Sequence, residues 1–86
     1  MQLDILTPDK KIFSGEVKLV QVPGSKGSFE VLNNHAPIIS TLAPGRMKIV
    51  MADGVKNLFE IQSDGVIEVK KNKIIILAEK LSPLKV

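Results

Sequence analysis

Apolar and polar residues alternate along most of the chain, which is the period of a β-strand with one buried face. Leu3 and Ile5 alternate with polar neighbours, and the residues that follow, 7–10, have the composition of a turn. Further along, Val17 and Leu19 share one parity while Val20 takes the other. Strand structure with two distinct faces is therefore predicted for this N-terminal part.

The second half of the chain predicts four strands, at 47–51, 55–62, 66–70 and 73–78. Three short turns separate them, at Asp53-Gly54, Asp64-Gly65 and Lys71-Asn72, where Gly and Asn accept the positive φ that tight turns require. Strands joined by such short turns are expected to pair in sequence order as a meander. The strand at 73–78 is apolar on both parities, so we expect it to be central in its sheet.

No segment shows the i, i+3, i+4, i+7 apolar spacing of an amphipathic helix, and Pro83 opposes helix formation near the C-terminus. Many short strands with Gly and Pro turns predict an all-β sandwich or barrel. The 86 residues fit one domain, 1–86, and 44% of them are hydrophobic, as in a globular protein.

Candidate chemistry is sparse. The chain has no Cys and one His, its Ser residues lie in no Gly-x-Ser-x-Gly elbow, and the formal net charge is +3. We therefore expect a protein that is not an enzyme and that holds neither a metal nor a cofactor. Eleven Lys and one Arg are scattered along the chain, which is typical of a solvated surface and not of a nucleic-acid interface.

Two lysines call for separate consideration. Lys26 lies in the glycine-containing loop 23–28, which fits neither a phosphate-binding P-loop nor a KH-domain Gly-x-x-Gly loop, and which we expect to be a tight turn between strands. Lys48 lies between Met47 and Ile49, and this resembles biotin carrier domains, whose modified lysine lies between methionines. That lysine sits at a hairpin tip, whereas Lys48 falls inside an alternating strand, so a solvent-facing strand lysine is favoured.

His35 follows two asparagines and precedes Ala36-Pro37. A lone His in a polar turn is commonly a surface or hydrogen-bonding residue. Pro37 restricts Ala36 to extended geometry, so the segment leaves the turn in a defined direction. A stiff loop of this kind suits a docking surface.

Read together, these segments resemble the epsilon subunit of F-type ATP synthases. The likeness covers essentially the whole chain in the right order, with PGSKGSFEVLNNHAP at 23–37, Leu42 and Pro44-Gly45, SDGVIEV at 63–69, and LAE at 77–79. The resemblance implies a ten-stranded β-sandwich at the foot of the central stalk. It implies a non-catalytic rotor subunit that binds the gamma subunit and the ring of membrane c subunits, coupling ion-driven rotation to ATP synthesis.

The resemblance also implies roles for individual residues. His35 matches the family's gamma-contacting His, and Lys26 and Ser28 fall in the loop that faces the c ring, with Glu30 as a further candidate for that contact. The subunit would reach the membrane only through the complex, at the cytoplasmic face of a bacterial inner membrane or an organellar equivalent. It would bind no nucleic acid.

The sequence departs from the family pattern in three places. Lys26 and Ser28 stand where acidic residues are frequent, and Asp64 replaces the first glycine of a Ser-Gly-Gly turn, which predicts a conformation at Asp64 that Asp and Asn tolerate. Many family members continue into an inhibitory helical hairpin that has no counterpart after Leu81, so that kind of autoinhibition is expected to be missing. A biotin or lipoate carrier using Lys48 and a small RNA-binding β domain are the alternatives.

Overall fold

A computed structural model describes residues 1–84 of the chain, and these residues form nine β-strands and no helix. The all-β prediction is confirmed, with nine strands in place of the ten expected. The strands are β1 (Gln2–Leu6), β2 (Lys11–Gly24), β3 (Gly27–Leu32), β4 (Ile38–Leu42), β5 (Gly45–Met51), β6 (Lys56–Ile61), β7 (Gly65–Lys70), β8 (Lys73–Ala78) and β9 (Leu81–Leu84).

The strands form one hydrogen-bonded sheet that folds over into two layers of a β-sandwich. One layer follows the order β4-β7-β8-β1, in which β1 and β8 are parallel and the other pairs are antiparallel. The other follows β3-β2-β5-β6-β9 and is antiparallel throughout. The long strand β2 joins them, because its first half pairs with β1 and its second half with β3 and β5.

The core lies between the layers and is filled by alternate residues of nearly every strand, which is what the period-2 pattern predicted. The described part of the chain buries no polar or charged side chain there. The residues that are fully enclosed, with less than 2% of their surface exposed, are Leu3, Ile5, Val20, Val22, Val31, Leu42, Met47, Ile49, Ile61, Ile67, Ile74 and Ile76.

The parity change in β2 has a local cause. Both Val17 and Val20 are buried, although they lie three residues apart. A register shift between Val17 and Leu19 in the pairing with β5 places one extra residue in the strand, as in a β-bulge. The bulge lets a single strand present its apolar residues to the core on both sides of the shift.

The predicted meander is wrong at one connection. Strands β5 and β6 form the expected hairpin, and so do β7 and β8, but β6 pairs with β5 and β9 while β7 pairs with β4 and β8. The segment around Asp64 therefore carries the chain from one layer to the other, so that Phe59 and Ile67 face a common core. Strand β8 lies between β1 and β7, which confirms its central position.

Candidate partner-binding surface

The residues predicted to bind partners lie at opposite ends of β3. Lys26 is at the tip of the β2–β3 hairpin, and His35 follows the Leu32 end of β3. Six paired residues of an antiparallel strand span roughly 20 Å, so the two positions are separated by about the length of the strand. The structure thus brings Lys26 and Ser28 together and keeps His35 apart from both.

The β2–β3 hairpin turns tightly at Ser25 and Lys26, between the paired residues Gly24 and Gly27. Gly27 has a φ of 127°, so the expectation of a tight turn using a glycine at positive φ is confirmed. Gly24 is required for a different reason. A Cβ there would lie 2.6 Å from the main-chain oxygen of Gly27 and 2.8 Å from the Phe29 ring.

The tip of this hairpin is held against β4. The N–H of Ser25 donates to the carbonyl oxygen of Thr41 (3.1 Å), and the N–H of Ala43 donates to that of Pro23 (2.8 Å). Between the tip and β4 runs an open groove of about 600 Å³, whose walls include Lys26, Ser28, Phe29, Ile39 and Thr41. Its exposed end combines one ammonium group, several hydroxyls and an apolar wall.

Glu30 lies further along β3, opposite Gln21 of β2. The alternation of β3 directs Phe29 and Val31 towards the core and leaves Ser28 and Glu30 exposed on the outer side. The hairpin therefore carries a positive charge at its tip and a negative charge a few residues away, on a surface that is open to a partner.

His35 closes a four-residue turn that leaves β3. Its N–H donates to the carbonyl oxygen of Leu32 (3.1 Å), and Asn34, in the third position of the turn, has a φ of 63°. A turn with positive φ at its third position favours Gly or Asn there, which explains the asparagine. The ring Nδ1 of the half-buried His35 lies 2.7 Å from the carbonyl oxygen of Ala36. Because a carbonyl oxygen can only accept, Nδ1 donates, and Nε2 is the nitrogen left for a partner.

Exposed apolar side chains flank the His35 turn. Leu32 before it is 51% exposed and Ile39 after it is 74% exposed. Single exposed apolar side chains are common on protein surfaces, and these two are compatible with a surface that binds another protein. The exposure of Leu32 and Ile39 beside this turn could not be predicted from the residue pattern. Alternation predicts which residues face outward, but not which of them lie next to a given loop.

Three asparagines at this end of the sandwich are joined by side-chain hydrogen bonds. The Oδ1 of Asn72, in the β7–β8 turn, accepts the N–H of Asn34 at 2.9 Å, and its Nδ2 donates to the Oδ1 of Asn33 at 3.3 Å. The Oδ1 of Asn33 also accepts from the buried N-terminal ammonium group of Met1 at 3.2 Å. Sequence reasoning identified Asn72 only as a turn residue. Nothing in the sequence indicated its contacts with Asn34 and Asn33, which lie 38 and 39 positions earlier in the chain.

The remaining predictions about single residues have mixed outcomes. Lys48 lies in the middle of β5, half-buried between Gln21 and Leu58, so it is not at a hairpin tip. Asp64 is not among the described non-glycine residues with positive φ, which are Asn34, Lys71 and Asn72, so an aspartate fits there without a left-handed conformation. The paired positive φ values of Lys71 (51°) and Asn72 (60°) confirm the predicted two-residue turn.

In residues 1–84 no helix is long and apolar enough to cross a membrane, and no cluster of three or more His, Asp or Glu could hold a metal ion.

The pKa of the Asp4 carboxyl on β1 is lowered, mainly because the Ser14 hydroxyl (2.7 Å) and the Gln2 amide (3.2 Å) donate hydrogen bonds to it. The rings of Phe13 and Phe59 pack edge to face, with their centroids 6.2 Å apart.

The comparisons with known proteins agree on one family. Residues 1–83 match the family described as ATP synthase, Delta/Epsilon chain, beta-sandwich domain. The ATP synthase epsilon chain of Chlorobaculum tepidum is 42% identical over 80 residues, which cover 93% of this chain and 90% of its own. The epsilon chain of Campylobacter hominis is 42% identical over 76 residues, covering 88% of this chain and 58% of its own.

Solved structures share the fold. A chain in the cryo-EM structure of Euglena gracilis mitochondrial ATP synthase (OSCP/F1/c-ring) has a TM-score of 0.87 and 25% identity, covering 94% of this chain and 51% of that one. A chain in the Tetrahymena thermophila mitochondrial ATP synthase central stalk/c-ring structure has a TM-score of 0.77 at 22% identity, covering 95% of this chain and 65% of that one. This chain therefore spans some relatives almost completely and others for little more than half their length. By its sequence and its fold, it belongs to the ATP synthase delta/epsilon family, through the β-sandwich domain of that family.

Proposed function

We propose that this chain is a central-stalk rotor subunit of an F-type ATP synthase, which couples rotation of the c ring to ATP synthesis without performing catalysis itself. The match of residues 1–83 to the ATP synthase delta/epsilon β-sandwich domain is the observation that carries this proposal. It is supported by two relatives described as ATP synthase epsilon chains, whose sequences align with most of this chain.

The two ends of β3 supply two docking positions. The gamma subunit binds at the His35 end, where a turn closed by the bond from His35 N–H to the Leu32 carbonyl oxygen leaves Nε2 free for a partner and is preceded by the exposed side chain of Leu32. The c ring binds at the hairpin tip, through Lys26, Ser28 and Glu30. Since the hairpin carries a positive charge at its tip, a negative charge further along β3 and an apolar groove wall beside the tip, this contact uses polar and apolar groups and not an acidic cluster.

In this role the subunit is a peripheral component that meets the membrane only through the complex, at the cytoplasmic face of a bacterial inner membrane. Its expected contribution is mechanical. Neither the described cluster of asparagines nor the Lys26 groove supplies a nucleophile with an adjacent base, and in this role the chain carries out no reaction step.

A reciprocal pair of substitutions tests both assignments. His35→Ala is expected to weaken binding of the purified gamma subunit by about 1–2 kcal/mol, or roughly 5–30-fold in Kd, as for a modest interface contact. Lys26→Ala, at the other end of β3, is expected to leave that affinity unchanged and to reduce retention of the chain on the purified c ring. Calorimetric titration measures the first effect and co-sedimentation the second.

Unchanged gamma affinity in His35→Ala would remove His35 from the interface. If Lys26→Ala weakened gamma binding as much as His35→Ala did, the assignment of separate ends to separate partners would be wrong. Failure of the unmodified chain to bind either partner would contradict the proposed function as a whole.

A further inference from the structure

Asn72 is distant from His35 in the sequence but bonded to its turn in the structure. The Asn72 side chain accepts the main-chain N–H of Asn34 at 2.9 Å, directly before His35. We infer that Asn72 is a positioning residue for the His35 turn, and that it contributes to binding of the gamma subunit without contacting it. This inference rests on the proposed function.

The turn that presents His35 depends on a left-handed conformation at Asn34, which asparagine tolerates better than most other residues. Asn34 has a φ of 63°, a region that costs most non-glycine residues free energy. Within the turn itself one main-chain bond, from His35 to Leu32, closes the chain. The bond from Asn34 N–H to Asn72 Oδ1 adds a restraint at this residue, and it comes from a different layer of the sandwich.

The same side chain restrains the turn at a second point. Asn72 Nδ2 donates to Asn33 Oδ1, and that oxygen also accepts from the Met1 ammonium group. Met1 is itself buried and held in place, since its ammonium group donates to the carbonyl oxygen of Val17 (3.1 Å) and lies 3.3 Å from Glu16 Oε2. Asn33 and Asn34 are thus tied to two elements that the core holds in place.

A role in core packing does not explain the Asn72 side chain, because it is exposed. Closure of the β7–β8 turn does not explain it either. That turn needs a residue that accepts positive φ, and the contact with β1 uses the main-chain oxygen of Asn72, which accepts the N–H of Gln2 (3.2 Å). What the side chain adds is the restraint on residues 33 and 34.

The positive φ values in this turn allow a clean test. Asn72→Gly keeps the backbone conformation and the bond to Gln2, and it removes only the side-chain bonds. Lys71→Gly is the matched control, because Lys71 has a φ of 51° in the same turn and no part in the asparagine bonds. Asn72→Asp keeps an acceptor for the Asn34 N–H and tolerates positive φ.

Hydrogen exchange of the free chain, followed by NMR, measures the restraint. The Asn34 amide is expected to exchange about tenfold faster in Asn72→Gly, and to be unchanged in Lys71→Gly and in Asn72→Asp. Calorimetry with the purified gamma subunit is expected to show Kd raised about fivefold to tenfold in Asn72→Gly and unchanged in Lys71→Gly. The affinity falls because the binding-competent turn is populated for less of the time.

Equal Asn34 exchange in Asn72→Gly and the unmodified chain would overturn the inference. So would faster exchange with unchanged gamma affinity, and so would an Asn72→Asp variant that exchanged like Asn72→Gly. None of these results bears on whether His35 contacts gamma, which His35→Ala decides separately.

Discussion

Gly24 offers a direct test of how tightly the hairpin tip is built. An added Cβ would lie 2.6 Å from the main-chain oxygen of Gly27 and 2.8 Å from the ring of Phe29, whereas real Cβ contacts stay beyond 3.0 Å. The Phe29 ring can rotate, but the Gly27 oxygen belongs to the paired strand and must move by about 0.4 Å. Gly24 also pairs with Leu42, so the displacement would disturb two neighbouring strands at once.

The expected cost follows from two opposing terms. Overpacking of this kind typically costs about 1–3 kcal/mol. Replacing Gly by Ala also restricts the unfolded chain, which offsets about 0.4–1 kcal/mol. We therefore expect Gly24→Ala to lower the free energy of unfolding by about 1–2 kcal/mol, a large share of the roughly 4–13 kcal/mol typical of a domain of this length.

Gly15→Ala is the matched control, because it lies in the same strand and has the same effect on the unfolded chain. The nearest atom to its Cβ would be the end of the Phe13 ring at 3.3 Å, which can give way. Urea unfolding followed by far-UV circular dichroism suits a chain without Trp or Tyr. If the two variants agreed within about 0.5 kcal/mol, the close approach at Gly24 would have no energetic weight, and the steric reasoning would be refuted.

Two further predictions concern the core and the response to acid. Ile76→Ala, at a site with no exposed surface, should lower the free energy of unfolding by about 2–5 kcal/mol. Ile39→Ala, at a site that is 74% exposed, should change it by less than about 0.5 kcal/mol. Similar losses for the two variants in urea unfolding would contradict the assigned burial. The hydrogen bonds from Ser14 and Gln2 lower the pKa of Asp4 in the folded state, so its stabilising contribution is complete above the ordinary value of 3.8 and is lost as pH falls through the lowered pKa. The difference in stability between the unmodified chain and Asp4→Asn should therefore shrink below about pH 4, and a constant difference in thermal unfolding between pH 6 and pH 2 would refute this.

The sequence predicted which faces of the strands are buried more reliably than which strands pair. Alternation is a local property, so the inward positions Ile49 and Ile67 follow from residue order alone. Pairing depends on where the chain goes between strands. The segment at Asp64 has the composition of a hairpin turn but crosses between layers, and β9 was missed because its Pro83 is typical of a strand end or edge and not of a strand interior.

For the candidate surface, the sequence identified the loops but not the residues that hold those loops in place. His35 and Lys26 were identified because each lies in a short segment that resembles a known family. Asn72 carries no comparable signal, since a turn asparagine is expected from positive φ alone, whether or not its side chain reaches another loop. Contacts between turns from different layers are set by the complete fold, and so they became visible only in the structure.

Under the proposed function, the two partner-binding ends must move as one body. All six residues of β3 pair with β2, and Phe29 and Val31 pack inward along the same strand. A load applied at the Lys26 tip is therefore transmitted to the His35 turn through a paired strand backed by a closely packed interior, which deforms little. The asparagine bonds extend this stiffness to the turn itself, where the strand ladder has ended. Coupling two partners in this way depends on rigid geometry between the binding positions, which packing and hydrogen bonds supply without a reactive group.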